Sequence, residues 1–378
     1  MADRTADVVV VGGGMAGVSV AALLAADRSV LLLEAESQLA YHTTGRSAAV
    51  FLESYGGPQV RALTRASRPL YEAVPEQDPN ATRLLTPTVE LLVADRAGLP
   101  ELDATLAEVA SLRRLTPAEA RAYCPVLSPD WLAGAAVEPG ACNIDVMGLH
   151  QHYLRTGRRR GLAVRTGARV RSGRRLGETW RLETAGGPVE APVVVNAAGA
   201  WADTVAVALG ALPLGLTPLR RTIAVVPVAE LDPGWPLVGD VAETFYFRPE
   251  GTGLLISPAE ETPSDPCDAR PDELDVARAI ENVNAATTLR LRSVSATWAG
   301  LRTFAPDRVP VAGWDPELPG LAWLAGQGGY GIQLAPALAA FAAALVRGED
   351  TPARLRAEGV DAAALSPARL DTRRRPAG

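Results

Sequence analysis

Asp7-Val-Val-Val-Val-Gly-Gly-Gly-Met-Ala-Gly17, followed by Leu31-Leu-Leu-Glu34, is the stretch that decides the fold. Four consecutive valines read as a strand buried on both faces, since a half-exposed strand would alternate with polar residues. Gly12, Gly14 and Gly17 then make a G-x-G-x-x-G turn into a helix rich in alanine and leucine. The three glycines act differently. Gly12 permits the tight turn, Gly14 lets a pyrophosphate approach the backbone, and Gly17 lets helix and strand pack closely. The following helix start, Met15 and Ala16, presents free N–H groups and a positive dipole end to phosphate. A second apolar strand, 29–33, ends in Glu34, an acid placed about twenty residues on where it can accept hydrogen bonds from a ribose. A lone glycine fingerprint is weak, but one set between two apolar strands with the acid at this distance is a specific sign of a bound dinucleotide.

Working outward, 378 residues are enough for about two domains. The hydrophobic share of 48% and charged share of 21% are those of an ordinary globular enzyme. A net charge of −6 gives no reason to expect nucleic acid, and the runs Arg158-Arg-Arg160 and Arg373-Arg-Arg375 read as solvated surface. The charged start and short first apolar run fit neither a signal peptide nor a membrane span, so the expected location is the cytoplasm. Cys124, Cys142 and Cys267 lack C-x-x-C spacing, and His42, His150 and His152 are poorly spaced for a metal. All 37 basic residues are arginine, with no lysine in the chain. Schiff-base chemistry through lysine, and a lysine-bound pyridoxal cofactor, are therefore excluded.

Further along, strand-like pieces fall at 88–93 and a helical stretch at 102–123. A helix follows at 146–159, and a buried strand runs into small residues at 193–199. Residues 219–257 alternate as a half-exposed sheet, with Phe245 and Phe247 on one face and Tyr246 and Arg248 on the other. A polar helix near 272–288 precedes a buried strand at 321–325, the glycine loop 326–331 and an alanine-rich helix whose early turn carries Pro336. No linker and no repeat separate halves. The expected class is α/β plus α+β: a Rossmann-like cofactor domain (1–85, 142–215 and 297–378) interleaved with a substrate domain on a mostly antiparallel sheet (86–141 and 216–296).

Five segments carry a family resemblance: the opening fingerprint, Tyr41-His-Thr-Thr-Gly-Arg-Ser-Ala48, Asn196-Ala-Ala-Gly-Ala-Trp201, Trp298-Ala-Gly-Leu-Arg302 and Gly326-Gln-Gly-Gly-Tyr-Gly-Ile-Gln333. In this order and nearly end to end, the chain resembles FAD-dependent amino-acid oxidoreductases of the D-amino-acid oxidase superfamily, and among them the D-arginine dehydrogenases. The resemblance implies cofactor contacts from Ala35, from Thr44, Gly45, Arg46, Ser47 and Ala48, and from Ala197, Ala198, Gly199 and Trp201. It implies others from Gly300 and Arg302, from the late loop and helix start (Gly328, Gly329, Tyr330, Gly331, Ile332, Gln333), and, for adenine, from the backbone at Val170. The late helix start would stabilise negative charge on the reduced flavin. With no cysteine in 298–315, the FAD is expected to be non-covalent.

An α-amino acid needs a cationic anchor for its carboxylate, which a bidentate arginine supplies best. Arg221 and Arg302 match the family's anchors, and alternation leaves only one of Arg220 and Arg221 facing the pocket. Tyr55 and Tyr246 match tyrosines near the carboxylate, Gly329 is to position the amine through its carbonyl, and Gln333 is to line the pocket. Glu90 matches the residue that faces a cationic substrate side chain, although an internal arginine would equally serve as its partner. Val50 replaces a family histidine, making the pocket less polar. The implied activity is oxidation of a D-amino acid, basic or hydrophobic, to a 2-oxo acid and ammonia by hydride transfer to flavin N5. On the same fold the alternatives are an N-methyl or cyclic amine, or a 2-hydroxy acid; beyond these stand an NAD-dependent dehydrogenase, which the first motif alone fits, and a non-catalytic flavin-holding subunit. Related oxidases use a lysine to speed the reaction of reduced flavin with oxygen; a chain without lysine is expected to pass electrons to another acceptor, quinone-like in type.

Overall fold

Val8–Val11 is buried because it lies at the centre of a parallel sheet, with Val30–Leu33 bonded to one edge and Val193–Asn196 to the other. The computed structural model describes residues 5–77 and 83–370; the basic tail at 373–375 lies outside them. Across the sheet the strands run Val311–Trp314, Leu321–Ala325, Val193–Asn196, Val8–Val11, Val30–Leu33, Ala163–Arg165. All are parallel except the edge strand Val311–Trp314. Full burial of each valine contributes about 1.5–3 kcal/mol before chain entropy is counted. Helices Met15–Leu24, Pro58–Glu72, Val146–Arg159 and Gly331–Arg347 cover one face. A three-stranded antiparallel sheet and the short helix Ala202–Ala208 cover the other.

A second sheet of nine strands carries the rest. Its alternation is as read from the sequence: Phe245 and Phe247 are buried with Leu91, Val93, Val226 and Ile256, beneath helix Glu273–Ala286. Arg221, Tyr246 and Glu90 lie on the opposite face, lining a cavity between the two sheets. Ala296–Phe304 pairs with residues 217–225 of strand Thr217–Pro227, so residues 297–304, assigned from the sequence to the cofactor domain, run in this second sheet.

Two local expectations differ from the structure. The stretch 102–123 is not one helix but Leu99–Glu108, strand Arg113–Leu115 and Pro117–Tyr123. The interruption has a cause: Thr116 and Glu119 form a capping box that starts a new helix at Pro117, while Arg113–Leu115 pairs with Gly134–Glu138. Pro336 does not start the last helix, which begins at Gly331; it sits inside it. The ring removes the N–H that would bond the Ile332 carbonyl, and that carbonyl instead accepts from the Tyr71 hydroxyl at 2.5 Å. Among the described residues no helix is long and apolar enough to cross a membrane.

Candidate active site

The cavity, about 500 Å³, runs from the ends of the parallel strands to the open face of the second sheet. Its first end is the glycine turn. Gly12 has φ +112°, and a Cβ there would lie 2.3 Å from the Ala197 carbonyl oxygen, so only glycine fits. A Cβ on Gly17 would lie 1.9 Å from the Gly12 carbonyl oxygen, which is the close helix–strand approach expected of it. Glu34 accepts from the Gly13 N–H at 2.7 Å and the Glu36 N–H at 2.8 Å, which fixes its carboxylate at the cavity edge with lone pairs to spare. The Gly167 and Ala168 N–H groups bond the Glu36 and Glu34 carbonyls, bringing Val170 to the same edge.

The middle of the wall comes from residues 43–48 and 197–201. Thr44 accepts from the Met15 N–H at 3.0 Å, tying this turn to the first helix start. Arg46 borders the cavity, but its guanidinium is committed to the Ala269 and Ala299 carbonyls, at 2.8 and 3.1 Å, and to the Asp268 carboxylate. Its charge therefore staples the turn to the second sheet, which leaves its stem and backbone for a cofactor. His42, to which the sequence reading gave no role, packs on Trp201 with ring centroids 4.5 Å apart and planes tilted by 45°, and lies 3.1 Å from the Glu36 carboxylate. His150 and His152 are buried in helix Val146–Arg159, His150 against the Gly13 carbonyl at 3.1 Å; burial holds its pKa below the usual value.

At the far end the antiparallel register sets Arg221 opposite Gly300, so Arg302, two residues along, is a diagonal neighbour on the same face. Arg220 points away, to Asp275 at 3.0 Å, as alternation requires. Arg221 is 5% exposed. Its Nε donates to the Glu260 carbonyl at 2.8 Å, and Nη2 lies 3.5 Å from the Glu261 carboxylate. Burial and then the neighbouring Arg302 press its pKa down, so two cations, Arg221 buried and Arg302 partly buried, share one wall. Arg302 donates to the Tyr55 hydroxyl at 3.4 Å. A Cβ on Gly329 would fall 2.9 Å from that hydroxyl and 3.1 Å from Arg302, so the late loop closes onto the anchor only because the residue is glycine.

Glu90 is buried, and no arginine pairs with it among the described residues; Ser54 Oγ, at 3.4 Å, is its hydrogen-bond partner. Its cross-strand neighbour is a second buried acid, Glu138, missed by the sequence reading. Burial, reinforced by Glu138, pushes the Glu90 pKa up to about 8. Glu138 accepts from the Glu53 and Ser54 N–H groups at 2.7 and 3.3 Å, which docks the loop that carries Tyr55. Its only advance signal was an acid in an apolar strand, Ala135-Ala-Val-Glu138.

Of the remaining expected residues, Ala35, Ser47, Ala48, Ala198, Gly199, Gly328, Gly331 and Ile332 line the cavity. Gly45 instead packs against the Ala40 carbonyl, and Tyr330 packs on Tyr55 and Phe304 with ring centroids 4.9 and 5.8 Å apart. Gln333 reaches the wall, but its amide is spent on Leu52 N–H and C=O and on Thr64 Oγ1, so it clasps the last helix to its neighbours instead of facing a substrate.

These residues suit FAD. Two helix starts, at Gly14–Met15 and Gly331–Ile332, open on the cavity. His42 Nδ1, Tyr246 Oη, Thr303 Oγ1 and Gln327 Nε2 belong to lining residues and are buried without a protein partner, as in a site built for a polar ligand. No cysteine lines the cavity among the described residues, so a cysteinyl tether has no thiol to use.

The profile of the FAD-dependent oxidoreductase (DAO) family matches residues 7–345. The chain belongs to this family. It is 28% identical over 359 residues to mitochondrial dimethylglycine dehydrogenase of Rattus norvegicus, covering 86% of this chain and 41% of that protein. With human mitochondrial sarcosine dehydrogenase it shares 27% identity over 342 residues, 84% of this chain and 37% of the relative. The chain thus spans about two fifths of the length of these relatives. The crystal structure of glycine oxidase from Geobacillus kaustophilus superposes with a TM-score of 0.82 at 24% identity, covering 96% of this chain and 98% of the other, a likeness of fold. None of these is a D-arginine dehydrogenase, so the family stands and the narrower likeness does not gain support. FAD is the family's cofactor.

Proposed function

We propose that this oxidoreductase oxidises the C–N bond of a small, carboxylated amine, in first place an N-methylated glycine such as sarcosine or dimethylglycine. The observation that carries the reading is the pairing of buried Arg221 with partly buried Arg302 beside Gly329, a wall that demands an anion and leaves room for a small group. The names of the mitochondrial relatives favour N-methyl substrates over the D-amino acid that the sequence first suggested. FAD, when bound, supplies the two-electron acceptor for a hydride leaving the carbon next to nitrogen. The chain's own part is positioning: the guanidinium groups fix the carboxylate, Tyr55 and Tyr246 bring hydroxyls to the same wall, and the apolar Val50, Leu52 and Leu237 restrict water. Water then hydrolyses the iminium product. Sarcosine oxidised at its methyl group yields formaldehyde and glycine, whereas a primary amino acid yields ammonia. Formaldehyde released in step with substrate loss supports the reading; ammonia from a D-amino acid panel, with no turnover of N-methyl glycines, returns it to the first suggestion.

Glu90 bears on the side-chain preference. With its pKa near 8 it is protonated at neutral pH and offers no anion to a guanidinium. The ratio of kcat/KM for D-arginine to that for sarcosine is expected to rise as pH passes through about 8, and to stay flat in Glu90→Gln. The sign for stability is fixed too: a raised pKa means stability is lost as pH climbs from 4.5 to about 8, so the Tm advantage of Glu90→Gln should grow across that window. A pH-independent ratio in the native protein would contradict this.

We further propose an electron acceptor other than oxygen. A fixed charge near the flavin speeds oxygen reduction, and arginine's broad planar head suits such a slot less well than the lysine this chain lacks. Reduced enzyme mixed with air-saturated buffer should reoxidise far more slowly than it turns over with a dye acceptor. Equal rates, with stoichiometric hydrogen peroxide, would make it an oxidase.

A further inference from the structure

Behind Arg221 lies an ion pair that the proposed reaction does not itself require. Glu261 receives both Nη groups of Arg308, at 2.9 Å and 2.7 Å, with one bond to each carboxylate oxygen. One of those oxygens is also 3.5 Å from Nη2 of Arg221. The three side chains form a line from surface to cavity: Arg308 is exposed, Glu261 partly buried and Arg221 buried. Arg308 is held from several directions. Its guanidinium lies 3.9 Å from the centroid of the Phe304 ring, its backbone is left-handed at φ +61°, and its N–H donates to the Ala305 carbonyl at 2.8 Å. A left-handed backbone at a non-glycine residue is strained and persists only where the surroundings enforce it.

The unequal distances matter. A carboxylate between two cations is drawn more strongly to the buried one, because solvent screens the exposed one. Yet Glu261 sits closer to the exposed Arg308. If it closed on Arg221 it would neutralise the anchor and compete with any incoming carboxylate.

We propose that Arg308 is a positioning residue that holds Glu261 back from Arg221, keeping the anchor's charge available to the substrate carboxylate. Arg308 acts through Glu261 and touches no substrate; losing it frees Glu261 to become an internal competitor. This rests on the reading that Arg221 holds the substrate carboxylate.

The test uses the FAD-loaded protein and propionate, a carboxylate that cannot be oxidised at nitrogen, with Kd read from the shift of the flavin spectrum and Tm as a control of folding. Arg308→Met should weaken propionate about tenfold and raise the KM for sarcosine similarly, with kcat changed less than about threefold. Arg308→Lys, which keeps a charge, should retain most of the affinity. Adding Glu261→Gln to Arg308→Met should restore propionate binding to within about twofold of the native protein, because the competitor is gone. Arg221→Met is measured alongside. Unchanged propionate binding in Arg221→Met would remove the anchor reading itself. If Arg221→Met weakens binding while Arg308→Met does not, or if Glu261→Gln deepens the Arg308→Met defect instead of relieving it, the anchor stands and the role given to Arg308 is overturned.

Discussion

Arg302→Met is expected to lower kcat/KM for a carboxylated amine by a factor of about 30 to several thousand, equivalent to ~2–5 kcal/mol, while leaving FAD in place. Arg302 stands on the wall between the second sheet and the late glycine loop, where Tyr55 and Gly329 close around it. Burial opposes its charge, but the nearby Tyr55, Tyr246 and Glu261 outweigh that and hold its pKa above the usual value. Methionine fills similar space without charge, so the loss reports the ion–ion contact and not a cavity. Substrates without a carboxylate should be turned over equally poorly by both forms. Unchanged kcat/KM in a flavin-loaded Arg302→Met protein would show that the carboxylate is held elsewhere.

Gly12→Ala is expected to yield protein with little or no flavin and a much lower Tm. A methyl group there meets backbone on two counts: it would fall 2.3 Å from the Ala197 carbonyl oxygen and 2.8 Å from its carbon. Neither can rotate away as a side chain would, and φ +112° is itself disfavoured for any residue with a Cβ. Relief requires the first turn and the strand end at Ala197 to separate, which opens the cavity where a pyrophosphate would lie. Gly57→Ala makes the control, since a Cβ at Gly57 meets nothing within 4 Å. The flavin-to-protein absorbance ratio of both variants, purified alike, decides the matter; a Gly12→Ala protein with full flavin content would show that the turn has more slack than these distances allow.

The two sheets were readable in the sequence to different depths. Val8–Val11 and Leu321–Ala325 announce themselves because central strands of a parallel sheet are apolar on both faces. Tyr246 and Arg248 could be set on the cavity face because Phe245 and Phe247 take the other. What failed to show was anything fixed by contact between distant segments. Arg113–Leu115 looks helical from its own residues and becomes a strand only through its pairing with Gly134–Glu138. Glu138 carries no local sign that it will hold the loop of Tyr55. Arg46 and Gln333 fall where the family motifs place them, yet their polar groups turn out to be consumed by protein partners far along the chain. Charge and periodicity locate a residue on a face, but the partner it meets there depends on register that one strand alone does not encode.

The most direct measurement is anaerobic mixing of the FAD-loaded protein with matched amines that differ only in the carboxylate, sarcosine against dimethylamine, followed by the flavin absorbance. Sarcosine should bleach the yellow band in the native protein, propionate should slow the bleaching, and dimethylamine at the same concentration should leave the band intact. Bleaching by dimethylamine as fast as by sarcosine, or no bleaching by any carboxylated amine, would contradict a reaction built on Arg221 and Arg302.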